Sequence, residues 1–435
     1  MLINDGRVGA PSTRTWVVAV AVIFAALLVG LQVAALRLHL QGPLGSLASD
    51  YVATPKSPEV LWAGLGLAMV GLSNRHRIIA LSVAAAVDVA FFAARALLGG
   101  TLALGNGALI VLTGLALVVW WRWTGTERTV AFGGIALGAL LIVATKIGYS
   151  WLEITAVARP KVLDVYVMLA DHALGQPSWL VGRFIDAAGP IAHGVVHLVY
   201  IELAVAAMVV ALYQLRNVRT DGWPRHFVVR TFIILGLIGP LLYVLFPVVG
   251  PVYAFGHEGH GFEVGNLWPQ VMPPTSGVPA PIVFDGYTPR NCMPSMHTAW
   301  ALAVFIHSRR GPRWLRWGGA FWLVGTLTAT LGFGYHYGVD LVAGAVLCLA
   351  VESALRDPQR GWDRQRALLV FSGALLLTSL LMCFRYLAVP MAHLPEVFGP
   401  LILGLLVAYA FSFYRVFFAG LPIAPSSPVK LKTDT

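Results

Sequence analysis

Apolar runs of membrane-spanning length recur along almost the whole chain and leave little choice of fold. They read as residues 15–37, 58–73, 77–99, 101–121, 129–150, 189–213, 228–250, 294–308, 317–335, 337–355, 367–388 and 397–415. A helix needs about 20 apolar residues, at ~1.5 Å each, to cross the hydrocarbon layer. The second and eighth runs are short. Hydrophobic residues make up 58% of the chain and charged ones 11%, against roughly 25% charged in a soluble domain. The expectation is an all-α, polytopic membrane protein of about twelve transmembrane helices, whose core is the bundle itself. The first run outlasts the ~7–15 apolar residues of a signal peptide and reads as a retained helix.

A net charge of +10 does not imply a nucleic-acid partner, because Arg and Lys stand in short clusters between the apolar runs. With the N-terminus inside, 21 of the 30 basic residues fall in cytoplasmic loops, as the positive-inside bias requires. Both termini then lie in the cytoplasm. The boundaries read as a transmembrane module of about five helices over 1–150 and an extracytoplasmic interfacial segment over 151–186. A catalytic bundle core over 187–355 follows, then two C-terminal helices and a cytoplasmic tail over 356–435. The connection 251–293 is long and rich in Gly and Pro; a loop of that length is functional or disordered. Cys292, Cys348 and Cys383 are widely spaced, with no CxxC, and read as small buried hydrophobes.

The chemistry concentrates in "NCMPSMHTAWALAVF" (291–305) and "YHYGVDLVAG" (335–344). The eighth run descends from His297 to the basic turn "RRGPRWLR", and the ninth climbs back to His336. Two histidines far apart in sequence therefore return to one membrane surface. Asp340 lies four residues after His336 and shares its helix face, where a carboxylate fixes an imidazole tautomer. His297 opens a helix behind Pro294 and Ser295; free N–H groups there favour a bound anion such as phosphate. Ionisable groups at membrane depth are costly and point to function. These parts suit phosphoryl transfer through a phosphohistidine. His336 attacks phosphorus, Asp340 supports it, and His297 protonates the leaving oxygen. Such a scheme needs no metal and no cofactor.

"PSMHTAW" followed by "YHYGVDLVAG" resembles the phosphatidic acid phosphatase type 2 superfamily. The resemblance is closest to the branch of inositol phosphorylceramide synthases and related inositolphosphotransferases. "LFPVVGPVY" (245–253) and "DVYVMLADHALGQPSWLVGRF" (164–184) are similar to segments of that branch, so the resemblance covers about residues 160–355. It implies a six-helix catalytic bundle, with His297, His336 and Asp340 in the roles above. It also implies a lipid phosphate donor and a lipid or polyol acceptor, on the extracytoplasmic face. The superfamily's Ser-Arg pair is Ala329-Thr330 here, and its Lys-x6-Arg-Pro motif is missing. Substitutes for the absent phosphate clamp are Arg290, with Arg183 and Lys146 behind it, and Ser295 through its backbone. Hydrolysis with water as acceptor is the alternative reaction. A lipid or polyprenyl-phosphate transporter with a vestigial site is the alternative from another class.

Other polar residues have plainer readings. His193 and His197, followed by Glu202, read as helix contacts or the lining of a lipid cavity. Asp88 and Arg95 read as an intramembrane pair. Arg385 reads as a headgroup contact or a snorkelling side chain. His257, Glu258, His260 and Glu263 read as solvated loop residues.

Overall fold

The computed structural model describes residues 13–256, 278–356 and 361–419, with most side chains before residue 24 excepted. The His257–Glu263 group, Arg360 and the tail with Lys430 and Lys432 lie outside those residues.

The regular elements of the described chain are all helices except for two short strands. The N-terminal part comprises α1 (Thr13–Arg37), α2 (Gly42–Ser49), α3 (Pro58–Met69), α4 (Asn74–Leu97), α5 (Asn106–Arg122) and α6 (Gly125–Ala158). Then come β1 (Lys161–Val162), α7 (Asp164–Asp171), α8 (Pro177–Ile201), α9 (Leu203–Leu215), α10 (Val218–Asp221) and α11 (Val228–Leu245). After α12 (Pro251–Phe255) and β2 (Ile282–Val283) stand α13 (Met296–Ser308), α14 (Arg313–Gly332) and α15 (Gly338–Leu355). The C-terminal part is α16 (Arg364–Tyr386), α17 (Ala388–His393) and α18 (Pro395–Phe417).

Every apolar run carries helix, but fewer than twelve helices among the described residues are by themselves long and apolar enough to cross a membrane. Seven helices among the described residues (α4, α6, α8, α11, α15, α16 and α18) are long and apolar enough to cross a membrane. An eighth is reached if Phe24–Arg37 and Gly42–Ser49, bent by 92° to each other, make one span. The difference has local causes. The run 189–213 is broken: α8 kinks at Gly189 (φ 82°), ahead of Pro190, and ends before Glu202. This leaves α9 with 13 residues. Ser295 caps α13 and holds it to 13 residues, while α3 has 12 and α5 has 17.

Helix α15 is the axis of the main core. Of its apolar window 72% is buried, against 17% for α4 and α8, so the latter two present their apolar surface outward, as lipid contact demands. The main hydrophobic cluster gathers side chains from α7, α11, α13, α15, α16 and α18. In the N-terminal part α3 and α6 approach closely enough that a Cβ at Gly138 would lie 2.1 Å from the Gly64 carbonyl oxygen. Small residues permit such crossings where no water drives helices together.

Asp88 and Arg95 are not the pair expected. Asp88 accepts from Trp62 Nε1 (3.0 Å) and from the Gly105 and Gly107 N–H groups (2.7 Å each). Arg95 donates to the carbonyls of Ala53 and Ala103 and to Asn106. Two turns of helix separate them, and each finds backbone groups of the α4–α5 loop within closer reach.

Candidate active site

The predicted site lies where three chain segments are tied together by backbone. Strands β1 and β2 pair antiparallel, Lys161 opposite Val283, which clips the start of α7 to the approach of α13. Cys292 N donates to Val248 O (3.1 Å), and Ser295 N to Asp340 O (3.2 Å). The second contact brings the starts of α13 and α15 together. It requires Gly344, where a Cβ would lie 2.2 Å from the Ser295 oxygen.

His336 sits in the turn between α14 and α15, buried and held on every side. Its N–H donates to Thr330 O (3.1 Å), and its carbonyl accepts from Ser178 Oγ (2.5 Å). Ring Nδ1 faces two acceptors, Cys292 O at 2.9 Å and Asp340 Oδ2 at 3.4 Å. Neither can donate to it when Asp340 is ionised, so we assign the ring proton to Nδ1. The lone pair is then on Nε2. Burial pushes the imidazole down to about 4, since low dielectric disfavours the cation.

Asp340 is fully buried and heavily engaged. Its Oδ2 also accepts from Tyr337 N (2.9 Å) and from the Cys292 thiol (2.5 Å). The expectation that Cys292 is only a small hydrophobe needs correction: it is buried, but it reaches Asp340 through sulfur and His336 through its carbonyl.

His297 stands in the first turn of α13, its ring centroid 6.0 Å from that of His336 at 61°. Tyr200 of α8 stacks on it at 4.4 Å, with the phenol oxygen 3.4 Å from Nδ1. Ser295 caps α13, its Oγ accepting from Thr298 N (3.3 Å), so the remaining first-turn N–H groups stay oriented at the helix mouth.

Two carboxylates of "DVYVMLAD" form the outer layer. Asp164 accepts from Val249 N (3.1 Å), Gly250 N (2.9 Å) and Tyr337 Oη (3.0 Å). Asp171 accepts from Val339 N at the start of α15 (2.9 Å). Burial raises Asp164 to about 7 and Asp171 to about 8. Neither carboxylate, nor Tyr200, Tyr337 or Ser178, is among the site residues expected from sequence. The available signal was two acids spaced within one short amphipathic helix.

The proposed clamp residues are scattered. Arg290 is fully buried, and its guanidinium donates to the carbonyls of Asp285, Thr288 (2.5 Å) and Arg159 (3.3 Å). Its described partners thus organise the loop leading to Cys292. Arg183 is exposed on α8. Lys146 is buried in α6 and paired with Asp50; no contact among the described residues brings it to the histidines. His193 and His197 lie edge-on to Phe333, at 5.0 and 6.0 Å. Arg385 lies over the Tyr166 ring at 3.7 Å.

Two groups have metal-ligand atoms within 4.8 Å of one another: Cys292, His336 and Asp340, and His226, His307 and Glu352. In the first, the Nδ1 and thiol protons already occupy the space between the ligands. In the second, Gln214 Oε1 accepts from Val228 N (2.9 Å), which turns its amide N–H onto His307 Nδ1 (3.0 Å). Nδ1 therefore accepts, and Nε2–H donates to Glu352 (2.9 Å). A metal-bound imidazole needs the reverse, its outer nitrogen donating. Arg356 further occupies Glu352 Oε2, at 2.9 and 3.1 Å. Both groups read as hydrogen-bond networks.

Residues 14–154 match the model of a domain of unknown function, DUF5933. Comparison with curated proteins gave no match. Comparison with solved structures gave none either. Residues 166–354 match the PAP2 superfamily model. That stretch begins within α7, ends within α15 and contains Asp171, His297, His336 and Asp340, with Asp164 two residues before its start, and it is a PAP2 superfamily domain.

Proposed function

We propose that this protein is a membrane phosphotransferase. It moves a phosphoryl-linked headgroup from a lipid phosphate donor to a lipid or polyol acceptor through a phosphohistidine. The PAP2 superfamily domain supports phosphatase- or phosphotransferase-type chemistry on lipid phosphates. The observation that carries the reading is the placement of His336 Nδ1 against Cys292 O and Asp340 Oδ2, which assigns the ring proton to Nδ1 and leaves Nε2 as the nucleophile.

In the first half-reaction Nε2 attacks phosphorus and the P–O bond to the donor breaks. His297 gives its proton to the leaving oxygen. In the second half an acceptor hydroxyl attacks, the P–N bond breaks, and His297 takes the hydroxyl proton. Asp340 balances the charge on the His336 ring while phosphorus is attached, and first-turn N–H groups of α13 support the phosphoryl oxygens. No step calls for a metal. The reaction centre lies on the extracytoplasmic face: the basic turns after α13 and α15, carrying Arg309, Arg310, Arg313 and Arg364, sit at the opposite helix ends from His297 and Asp340. The inositolphosphotransferase likeness of "PSMHTAW" and "YHYGVDLVAG" supports a sphingolipid- or inositol-related substrate pair.

The test is the purified full-length protein in nanodiscs with headgroup-labelled phosphatidic acid and phosphatidylinositol, products resolved as lipids, polyol phosphates and free phosphate. His297→Ala and His336→Ala are run beside it. Transfer to a hydroxyl acceptor that disappears in His336→Ala supports the reading. Label found only in free phosphate makes the protein a phosphatase, and full activity in His336→Ala removes the mechanism.

A further inference from the structure

Helix α8 reaches the reaction centre with more than one residue. Tyr200 stacks on His297. One turn-spaced face of the same helix carries His193, buried to 7% exposure, whose ring meets Phe333 edge-on at 5.0 Å. Phe333 and Tyr335 lie 6.1 Å apart, and Tyr335 in turn meets Tyr200 at 5.4 Å and Tyr253 at 6.2 Å. Trp179, at the start of α8, packs on the same cluster. A continuous aromatic wall thus runs from His297 to His193.

Two polar atoms of this wall have no hydrogen-bond partner: His193 Nε2 and Trp179 Nε1, both shielded from solvent. A buried donor or acceptor left unpaired costs about 1–3 kcal/mol, so each such atom in a native structure calls for an account. Two of them beside a row of phenols, leading to the phosphoryl centre, point to a ligand that brings its own hydroxyls.

We propose that His193, Trp179 and Tyr253 form the acceptor subsite of this enzyme and that the acceptor is a neutral polyhydroxyl compound. The assignment rests on the phosphotransferase reading above and deepens it. Aromatic faces take the C–H faces of a polyol, while imidazole, indole and phenol edges take its hydroxyls. A charged acceptor would want an opposite charge, and the described ring partners here are neutral phenyl, phenol and imidazole groups. One hydroxyl lies toward His297 and phospho-His336. Its oxygen bonds to phosphorus as the P–N bond breaks, its proton passes to His297, and neutral His336 is released.

The experiment uses full-length protein in phosphatidylcholine nanodiscs with phosphate-labelled phosphatidic acid as donor. Acceptors are glycerol, free inositol, glucosyl diacylglycerol and ethanolamine. Transfer saturates with a polyol and not with ethanolamine. His193→Phe and Trp179→Phe each raise the half-saturating polyol concentration about tenfold, the size of one hydrogen bond. His193→Gln, which keeps a polar amide there, recovers most of that loss. Saturation by glycerol or inositol identifies a soluble acceptor; saturation by the glycolipid alone identifies a lipid-borne one, and either upholds the subsite. Wild-type half-saturation in both Phe variants, or equal use of ethanolamine, overturns it. Protein that never takes up label without acceptor, or that still takes it up as His336→Ala, shows instead that the phosphohistidine reading has failed and takes the subsite with it.

Discussion

His336 and Cys292 are locked together: the imidazole Nδ1 lies 2.9 Å from the cysteine carbonyl oxygen, and the cysteine sulfur lies 2.5 Å from the carboxylate beside that imidazole. The contact joins the turn before α15 to the turn before α13. It fixes which nitrogen of His336 faces a substrate.

Removing that control separates chemistry from binding. Asp340→Asn is expected to lower kcat about 10²–10⁴-fold, the range for losing the orienting acid of a catalytic histidine. His336→Ala should fall to background. Single-turnover kinetics with a labelled lipid phosphate checks both. An Asp340→Asn enzyme within threefold of wild type would mean that Cys292 O alone sets the tautomer.

Acid inactivation should come late. Burial disfavours the His336 cation, so the ring stays neutral as pH falls through 6.5 and protonates near 4. The folded value is depressed, so its contribution to stability is present above the unfolded value and is lost as pH falls toward 4. A kcat–pH profile measures this, and an acid limb centred between 6 and 7 would contradict it.

Asp164 should act on stability through backbone. Asp164→Asn keeps one acceptor oxygen for Gly250 N and Tyr337 Oη but sets its amide N–H against Val249 N, at a cost of about 1–3 kcal/mol. Gly250→Ala attacks the same turn: φ is 105°, and a Cβ would lie 2.4 Å from the Tyr335 oxygen. Both should lower Tm in detergent. Unchanged melting of Asp164→Asn would show that the turn holds without it.

The far end of the bundle is tied by Glu352, fully buried among His226, His307, Thr231 and Arg356. Glu352→Ala leaves the Arg356 charge without its partner and should cost about 3–5 kcal/mol. The Tm decrease measures it.

Chelation should leave turnover intact, because each candidate ligand group is already closed by its own hydrogen bonds. Activity after prolonged EDTA dialysis checks this; loss restored by a divalent cation would reverse the assignment.

The apolar runs were enough to reveal a helical membrane protein, because hydropathy is a property of contiguous residues. Which runs form one long helix was not legible in the same way: a kink at Gly189 and a cap at Ser295 set helix ends without changing composition. The meeting of His297, His336 and Asp340 was also legible, since one descending and one climbing segment return the chain to one surface. The partners of those residues were not. Tyr200 lies 97 residues from His297, and Asp164 lies 173 from Tyr337; no local pattern encodes such pairings. Likewise, charge and sidedness suggested Arg290 and Lys146 as phosphate ligands, while folding engaged them with loop carbonyls and with Asp50. Sequence determined the solvent of this protein, its helices and the residue types of its chemistry. Tertiary structure decided which polar groups meet, because an unpaired polar group is costly in a low-dielectric bundle and only packing sets which partner comes within reach.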